Sequence, residues 1–448
     1  MYSLVISRLL LYYRSIRYQS NIVKYRKFLA ESQWWSRDRL VNHQNNRLKI
    51  IIKHAAVNVP YYRQLFKELG ISVDEFSIDQ LDLIPPVSKA IIKDNYKDFI
   101  AINANNYRHR KVNTSGSTGS PFEYLQDYIA DEMQVASSYR GLGFAGYLLG
   151  DKLIQIAGSA LIPGSHYTNK QKFSHHVQRI KNIPAIKLDT DILNNIVKEI
   201  NDFSPLFIRG YPSSIYILAN HIANENNLRH RPNAIITTAE VLLPKYRGKI
   251  EEVFGCPVFD EYGCNDGGLI SYECKEHNGF HYAAEKTILE ITQRGKSVAT
   301  GEFGDVTLTD LYNLSQPFIR YKNGDIAKLS KHSCSCLRSL PLIEAVQGRS
   351  GDIMKFHDRY ISTPALTLIF KDFSFDLYQL IKKADNLLII NVIKGKSYES
   401  FEEEKLLNIL RHHLGDQVNI QLNFVSTIET TSAGKWKYFV DMSASNEI

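Results

Sequence analysis

Leu206-Phe207-Ile208-Arg209, then Pro212–Asn224, then Ala234-Ile235-Ile236-Thr237-Thr238 is the stretch on which the fold turns. A short β-like run gives way to a helical one and then to a second β-like run. The same alternation begins earlier, at Leu153–Ala157 and Thr190–Asn201. Short apolar runs separated by helical periods between Arg108 and Val258 predict an α/β domain built on a largely parallel sheet.

Towards the start of the chain, Gln33 to Leu69 reads as helices. Asn58-Val59-Pro60 marks a break before Tyr61-Tyr62-Arg63 resumes the pattern, and Pro85-Pro86 closes the region. Towards the end the texture changes near Gly348-Arg349-Ser350-Gly351-Asp352, and a domain boundary is expected there. Beyond it, Tyr378–Ile381 and Leu387–Ile393 flank Asp385-Asn386 as a hairpin. Ser400–Leu414 reads as a helix with Gly415 in the C-cap place. Val418, Ile420, Leu422 and Phe424 alternate with period two, the mark of a half-buried strand. The expectation is a large domain over 1–347, its first 90 residues mainly helical, and a small ββαβ-type α+β domain over 348–448. The length of 448 residues agrees, since one hydrophobic core stops growing at roughly 250–300.

An apolar fraction of 44% with 23% charged residues is that of a folded globular chain, and no repeat or low-complexity run appears. The net charge of +7 is concentrated at the start: Met1–Ala30 carries Arg8, Arg14, Arg17, Lys24, Arg26 and Lys27 and no acidic residue. Arg8 and Arg14 interrupt the apolar run well short of the ~20 residues a spanning helix needs. No small-residue cleavage site follows it, so the expectation is a cytoplasmic protein. A basic amphipathic helix here either lies on an anionic membrane or docks on its own domain. Without stacking platforms among the basic residues, nucleic acid is a poor partner. Homodimerisation stays open.

Asn113-Thr114-Ser115-Gly116-Ser117-Thr118-Gly119-Ser120-Pro121 is the segment most informative about chemistry. Glycines let the backbone approach a polyanion, and main-chain N–H groups with Ser and Thr hydroxyls donate to phosphate oxygens. No lysine follows the second glycine, so it is not the loop of P-loop NTPases. Taken alone, such a run serves equally as a flexible linker.

Thr114–Gly119 resembles the phosphate-binding signature of the adenylate-forming superfamily, which includes acyl-CoA synthetases, luciferases and peptide-synthetase adenylation domains. The chain resembles most its phenylacetate-CoA ligase branch, and within that the CapK-type proteins of capsular polysaccharide clusters. The resemblance runs from Gln33-Trp34-Trp35-Ser36 through His54-Ala55, Val59–Arg63 and Val87-Ser88-Lys89 into the loop.

That resemblance implies ATP bound by Thr114, Ser115, Gly116, Ser117, Thr118 and Gly119. Thr238-Ala239-Glu240 would border the adenine, with Ala239 and Glu240 in the site. Asp260-Glu261-Tyr262-Gly263 would bring an aromatic ring against adenine, and Asp266, where the family usually has Glu, would help hold Mg²⁺. In Arg320-Tyr321-Lys322-Asn323-Gly324-Asp325, Asp325 would accept both ribose hydroxyls, a task for which a carboxylate suits. Arg349 would lie near ribose or phosphate, and Gly351-Asp352 would serve as a hinge. Thr431–Lys435 resembles the family's Ser-Gly-Lys motif and makes Lys435 a catalytic residue with Thr118 and Asp266, Lys437 being the alternative. A cation beside the reacting phosphorus stabilises charge developing in the transition state.

The implied reaction joins a small carboxylate to ATP as an acyl adenylate, and a thiol, CoA in this branch, then displaces AMP. An amine acceptor keeps the first step. A non-catalytic nucleotide-binding scaffold is the third reading, permitted by Asp266. Pocket residues are expected among Tyr139-Arg140, Arg209–Ser213 and Val258–Glu261, with Arg140 and Arg209 either pairing with substrate or serving structure.

Of five cysteines, Cys274, Cys334 and Cys336 with His281 make a donor set suited to structural Zn²⁺, with His277 as a competing ligand and Cys256 and Cys264 left as core or pocket residues. The five are too few for a disulfide framework.

Overall fold

The computed structural model describes residue 5, residue 9, residues 12–13, 16, 20–114, 122–157, 169–184, 188, 190–349, 353–356, 359–362, 369–370, 373–429 and 439–443. The loop from Ser115 to Pro121, Lys435, Lys437 and the hinge residues Gly351 and Asp352 lie outside them.

The strand–helix alternation is realised as five parallel strands: β1 (Leu153–Ala157), β2 (Ile180–Pro184), β3 (Phe207–Gly210), β4 (Ala234–Thr238) and β5 (Val258–Gly263). All five residues of β4 are buried, as a strand covered by helices on both faces requires. Helix α1 (Ile22–Ser32), α2 (Arg37–Asn58) and α3 (Tyr128–Leu142) precede the parallel sheet; α4 (Thr190–Phe203), α5 (Pro212–Glu225) and α6 (Pro244–Phe254) cross over within it. In α4, Leu193, Ile196, Val197 and Ile200 follow helical spacing and all are buried. They share a core with Ile154, Ile208, Ile235 and Val258. Helix α2 ends at Asn58 and the next begins at Pro60, as the sequence indicates. The side chain of Ser36 caps α2 by accepting from the Arg39 N–H.

The largely parallel sheet expected from the sequence is parallel only as far as β5. From there the chain turns back through β6 (Ile270–Glu273), β7 (Phe280–Tyr282), β8 (Thr287–Gln293), β9 (Phe303–Asp310), β10 (Tyr321–Leu329) and β11 (Leu342–Arg349). Their mutual pairings are antiparallel, and the whole is one 13-stranded sheet. Short connections between these strands leave no room for crossover helices, which is why the direction changes.

A separate mixed sheet follows. Strands β12 (Phe375–Ala384) and β13 (Leu387–Lys394) form the hairpin about Asp385-Asn386, and β14 (Asn419–Phe424) and β15 (Phe439–Asp441) flank it in parallel. Helix α7 (Phe401–Leu414) covers it with Leu406, Leu410 and Leu414 against Leu380, Leu388 and Ile390. The fold class is therefore a large α/β domain with a small α+β one. Leu377 and Ile428 also join the core beneath α5 and α6, and Lys245 Nζ donates to the Phe375 carbonyl, tying the small sheet to the large domain. Among the described residues, no helix is long and apolar enough to cross a membrane.

Candidate nucleotide site and cysteine–histidine cluster

Open parallel sheets bind ligands beyond the carboxyl ends of their strands. At that edge the register places Thr238 beside Glu261 and thus brings Ala239-Glu240 and Tyr262 together. Ala239 is held at φ +70°, a left-handed conformation that L side chains rarely adopt. The Glu240 carboxylate accepts from the Ser213 N–H in the first turn of α5 and fixes the bend.

Tyr321, Asn323 and Asp325 lie along β10, where Gly324 at φ +89° and a register shift against β9 interrupt the regular pleat. The Tyr262 hydroxyl donates to Asp325 Oδ2 at 2.8 Å, and Asn323 Nδ2 donates to the same oxygen at 2.8 Å. The backbone N–H of Asp325 returns a bond to Asn323 Oδ1 at 2.9 Å. On the next strand, β11, Arg349 is the cross-strand neighbour of Asp325. Burial, reinforced by Asp325, raises the Tyr262 phenol well above its ordinary value, so it stays a donor.

Asp266 stands next to this group. The Tyr321 hydroxyl donates to its Oδ2 at 2.6 Å, and burial first, then Asp266, raises that phenol. The turn that follows cannot carry side chains. Gly267 at φ +79° lies where a Cβ would meet Leu308 at 2.9 Å, and Gly268 at φ +71° where one would meet Lys286 Nζ at 1.9 Å. The hairpin His109–Thr114 with Phe122–Asp127 carries the Ser/Gly segment at its tip. Tyr124, on its second strand, has its phenol raised by burial and then by Asp266.

Other predicted residues are held by partners within the framework. Asp260 is buried, accepts from Thr237 Oγ1 at 2.6 Å, and is pushed up to about 8 by burial. Glu261 is paired with Arg209 through contacts of 2.7 and 2.8 Å, and Arg140 with buried Glu285 at 2.6 and 3.1 Å. Both arginines are ion-paired within the protein. The sequence reading missed Tyr321 and Asn323 as members of the site, although both lie in the quoted motif at even spacing from Asp325. Arg320 in the same motif is fully buried and bonds the Ile84 carbonyl, Asp82 and Glu290.

The second feature lies where β6, β7 and the loop before β11 meet. One donor atom from each of Cys274, His281, Cys334 and Cys336 lies within 4.8 Å of every other. Cys274 Sγ is 3.6 Å from Cys334 Sγ, and Cys336 Sγ 3.2 Å from His281 Nε2. His281 Nδ1 is 3.2 Å from the Leu340 carbonyl, which only accepts, so Nδ1 carries the proton and Nε2 turns its lone pair to the thiols. Burial pushes the Cys274 thiol up to about 12 and His281 down to about 4. His277 bonds Glu273 instead, outside the set. Cys256 belongs to the core, and Cys264 donates to the Asp266 carbonyl. Soft donors, tetrahedral number and an oriented imidazole fit Zn²⁺.

Residues 353–441 match the family model for the CapK C-terminal domain. Protein CapK of Staphylococcus aureus is 24% identical over 416 residues, covering 89% of this chain and 88% of that protein. Phenylacetate-coenzyme A ligase of Pseudomonas putida is 28% identical over 339 residues, covering 73% of this chain and 75% of the relative. Among solved structures, 2-hydroxyisobutyryl-CoA ligase in its postadenylation state with R3-HIB-AMP superposes with a TM-score of 0.72 at 18% identity. That match covers 92% of this chain and 93% of the other.

Proposed function

We propose that this chain, which belongs to the adenylate-forming superfamily in its phenylacetate-CoA ligase branch and has a CapK-type C-terminal domain, activates a carboxylate with ATP and passes the acyl group to a thiol. The observation that carries the reading is the convergence of Ala239, Tyr262, Asp266, Asp325 and the Arg349 backbone at one edge of the sheet, although the sequence scatters them over a hundred residues.

In the proposed site the Tyr262 ring packs on adenine, and Asp325, already held by two donors, accepts the ribose hydroxyls. The loop at Thr114–Gly119, Thr118 among its hydroxyls, donates to the phosphates. A carboxylate oxygen of the acid attacks the α-phosphorus, the bond to pyrophosphate breaks, and acyl-AMP forms. Lys435 stabilises the charge that gathers on the phosphoryl oxygens. Mg²⁺, when bound, neutralises the departing pyrophosphate. Asp266 offers one carboxylate for it, oriented by Tyr321. Thiol attack on the acyl carbonyl then expels AMP. CoA is the proposed acceptor, and surface-polysaccharide biosynthesis the proposed setting. We place the domain boundary near Gly348 and the protein in the cytoplasm, with the helix Ile22–Ser32 docked on its own domain through Ile22 and Leu29. A structural Zn²⁺ on Cys274, His281, Cys334 and Cys336 would tie β6 and β7 to the loop before β11.

AMP release with ATP, Mg²⁺ and a panel of acids, measured with and without CoA, tests this. CoA-dependent release across at least one acid is expected. Release that needs an amine instead would reassign the acceptor, and none with any acid would contradict the ligase reading.

A further inference from the structure

Glu261 and Tyr262 are neighbours on β5 and leave it on opposite faces. Tyr262 turns to Asp325 on the proposed nucleotide side. Glu261 turns to the face that α3 and the chain after it cover, where Leu142, Ala145 and Tyr147 pack on Phe207, Ile236 and Phe259. One pleat further along the same strands this face becomes polar. Arg209 sends Nε and Nη2 to the Glu261 carboxylate at 3.1, 2.7 and 2.8 Å, and Nη1 to Gln155 Oε1 at 3.3 Å. Gln155 Nε2 donates to Asn182 Oδ1 at 2.8 Å, and Asn182 Nδ2 to His175 Nδ1 at 2.8 Å. The register sets these side chains in one line, with Gln155 beside both Asn182 and Arg209, and Glu261 opposite Tyr272 on β6.

Tyr272 ends the line. Its ring lies against α3, where Gly141 makes the room: a Cβ there would stand 1.8 Å from the ring. The hydroxyl is buried, turned to Glu261 and Ser138, and completes no hydrogen bond among the described residues. Burial, then Glu261, raises the phenol, so it keeps a proton to donate. Glu261 can still accept, since a carboxylate offers about four lone-pair sites and Arg209 takes three. Nor is the pair sealed: Arg209 keeps 17% of its side-chain surface and Glu261 10%. An ion pair on an otherwise apolar floor adds little stability, because desolvation offsets the attraction and apolar side chains would pack there as well. A spare donor beside a carboxylate with an open site suits a ligand group that both accepts and donates. The line carries no net charge, because Arg209 balances Glu261 and burial favours the neutral imidazole of His175. An ammonium would bring an unbalanced charge into it, whereas a hydroxyl brings none.

The carboxylate of the acid has to meet the nucleotide held at Tyr262, and Glu261 is the next residue on β5. We propose, resting on the adenylation reading above, that the acyl part of the acid lies along this polar line and carries a hydroxyl, which donates to Glu261 and accepts from Tyr272. Glu261 and Tyr272 thus select hydroxy acids over their unsubstituted counterparts, and Arg209 is the positioning residue that holds Glu261 for them.

Pyrophosphate exchange by the full chain with matched acids tests it: lactate against propionate, 3-hydroxybutyrate against butyrate, mandelate against phenylacetate. In at least one pair the hydroxylated acid should have a kcat/KM at least about tenfold higher. Tyr272→Phe should cut that ratio about fivefold. Arg209→Met with Glu261→Leu replaces the pair by apolar side chains, should melt no lower than the parent, and should reverse the preference. If that double variant fails to fold, the ratio in Tyr272→Phe decides.

Unsubstituted acids used as well as their hydroxylated partners in every pair, alanine used better than lactate, or a ratio that Tyr272→Phe leaves in place would each overturn the inference while leaving carboxylate activation intact. Exchange with no acid at all would instead remove the activation reading, and this inference with it.

Discussion

The nucleotide edge and the cysteine–histidine cluster are both gatherings of polar groups, yet they are held together in opposite ways. At the nucleotide edge the residues satisfy each other: Tyr262 and Asn323 donate to Asp325, and Tyr321 to Asp266. Each carboxylate is oriented before any ligand arrives, the kind of preorganisation that lowers the cost of binding and reaction. At the cluster, four donors approach within 4.8 Å but meet only through weak sulfur contacts, and burial holds the Cys274 thiol and His281 in their neutral forms. A divalent cation would draw the thiols into their thiolate forms and use the neutral imidazole as it stands. The first region is complete as protein, while the second holds the donor set that a metal would complete.

Substitutions at the two ends should therefore fail differently. The largest effect is expected for Lys435→Ala, which should cut acyl-adenylate formation about 10²–10³-fold, measured by pyrophosphate exchange, with ATP binding little altered. Asp325→Ala should reduce kcat/KM for ATP at least about 10²-fold, since two hydrogen bonds to a charged group are lost at about 1.5–3 kcal/mol each. At the cluster, the protein as purified should carry about one zinc per chain by elemental analysis. Chelation or Cys334→Ser should lower the melting temperature by several degrees, as loss of a structural metal does. An unchanged melting curve in the stripped protein would erase the contrast between the two regions.

Tyr262→Phe keeps the ring and removes one donor to Asp325. Its cost should be about five- to tenfold in kcat/KM with stability nearly unchanged. The smallest effect concerns Asp260. Its folded value of about 8 lies above its ordinary 3.8, because burial disfavours the carboxylate. The protonated form is favoured in the fold, so its stabilising contribution is whole below pH 4 and is lost as pH rises towards 8. Asp260→Asn should flatten that decline, read as melting temperature at pH 5, 6, 7 and 8. Parallel profiles for the two proteins would refute it.

Much of this could be read in the sequence, for physical reasons that differ by region. The parallel half was legible because strands buried on both faces are short apolar runs, as in Ala234–Thr238, and α4 repeats Leu193, Ile196, Val197 and Ile200 at helical spacing. The antiparallel half was not, because Thr287, Thr292, Thr307 and Thr309 bury polar side chains in the sheet and blur the alternation. At the nucleotide edge the motifs identified Asp325 and Tyr262, but not the partners Tyr321 and Asn323. Only the folded sheet, which brings Tyr262 at the end of β5 to Asn323 and Asp325 on β10, reveals those bonds. The ion pairs Arg209–Glu261 and Arg140–Glu285 join residues far apart in sequence, and nothing local announces them.

Carboxylate activation at the nucleotide edge is the step on which the other assignments depend. The most direct test is acid-dependent exchange of labelled pyrophosphate into ATP by the intact protein and by Lys435→Ala, across a broad panel of carboxylates. Exchange that needs an acid and falls about 10²-fold or more in the variant is the predicted result. Exchange with no acid in the panel, or exchange that Lys435→Ala leaves intact, would contradict it.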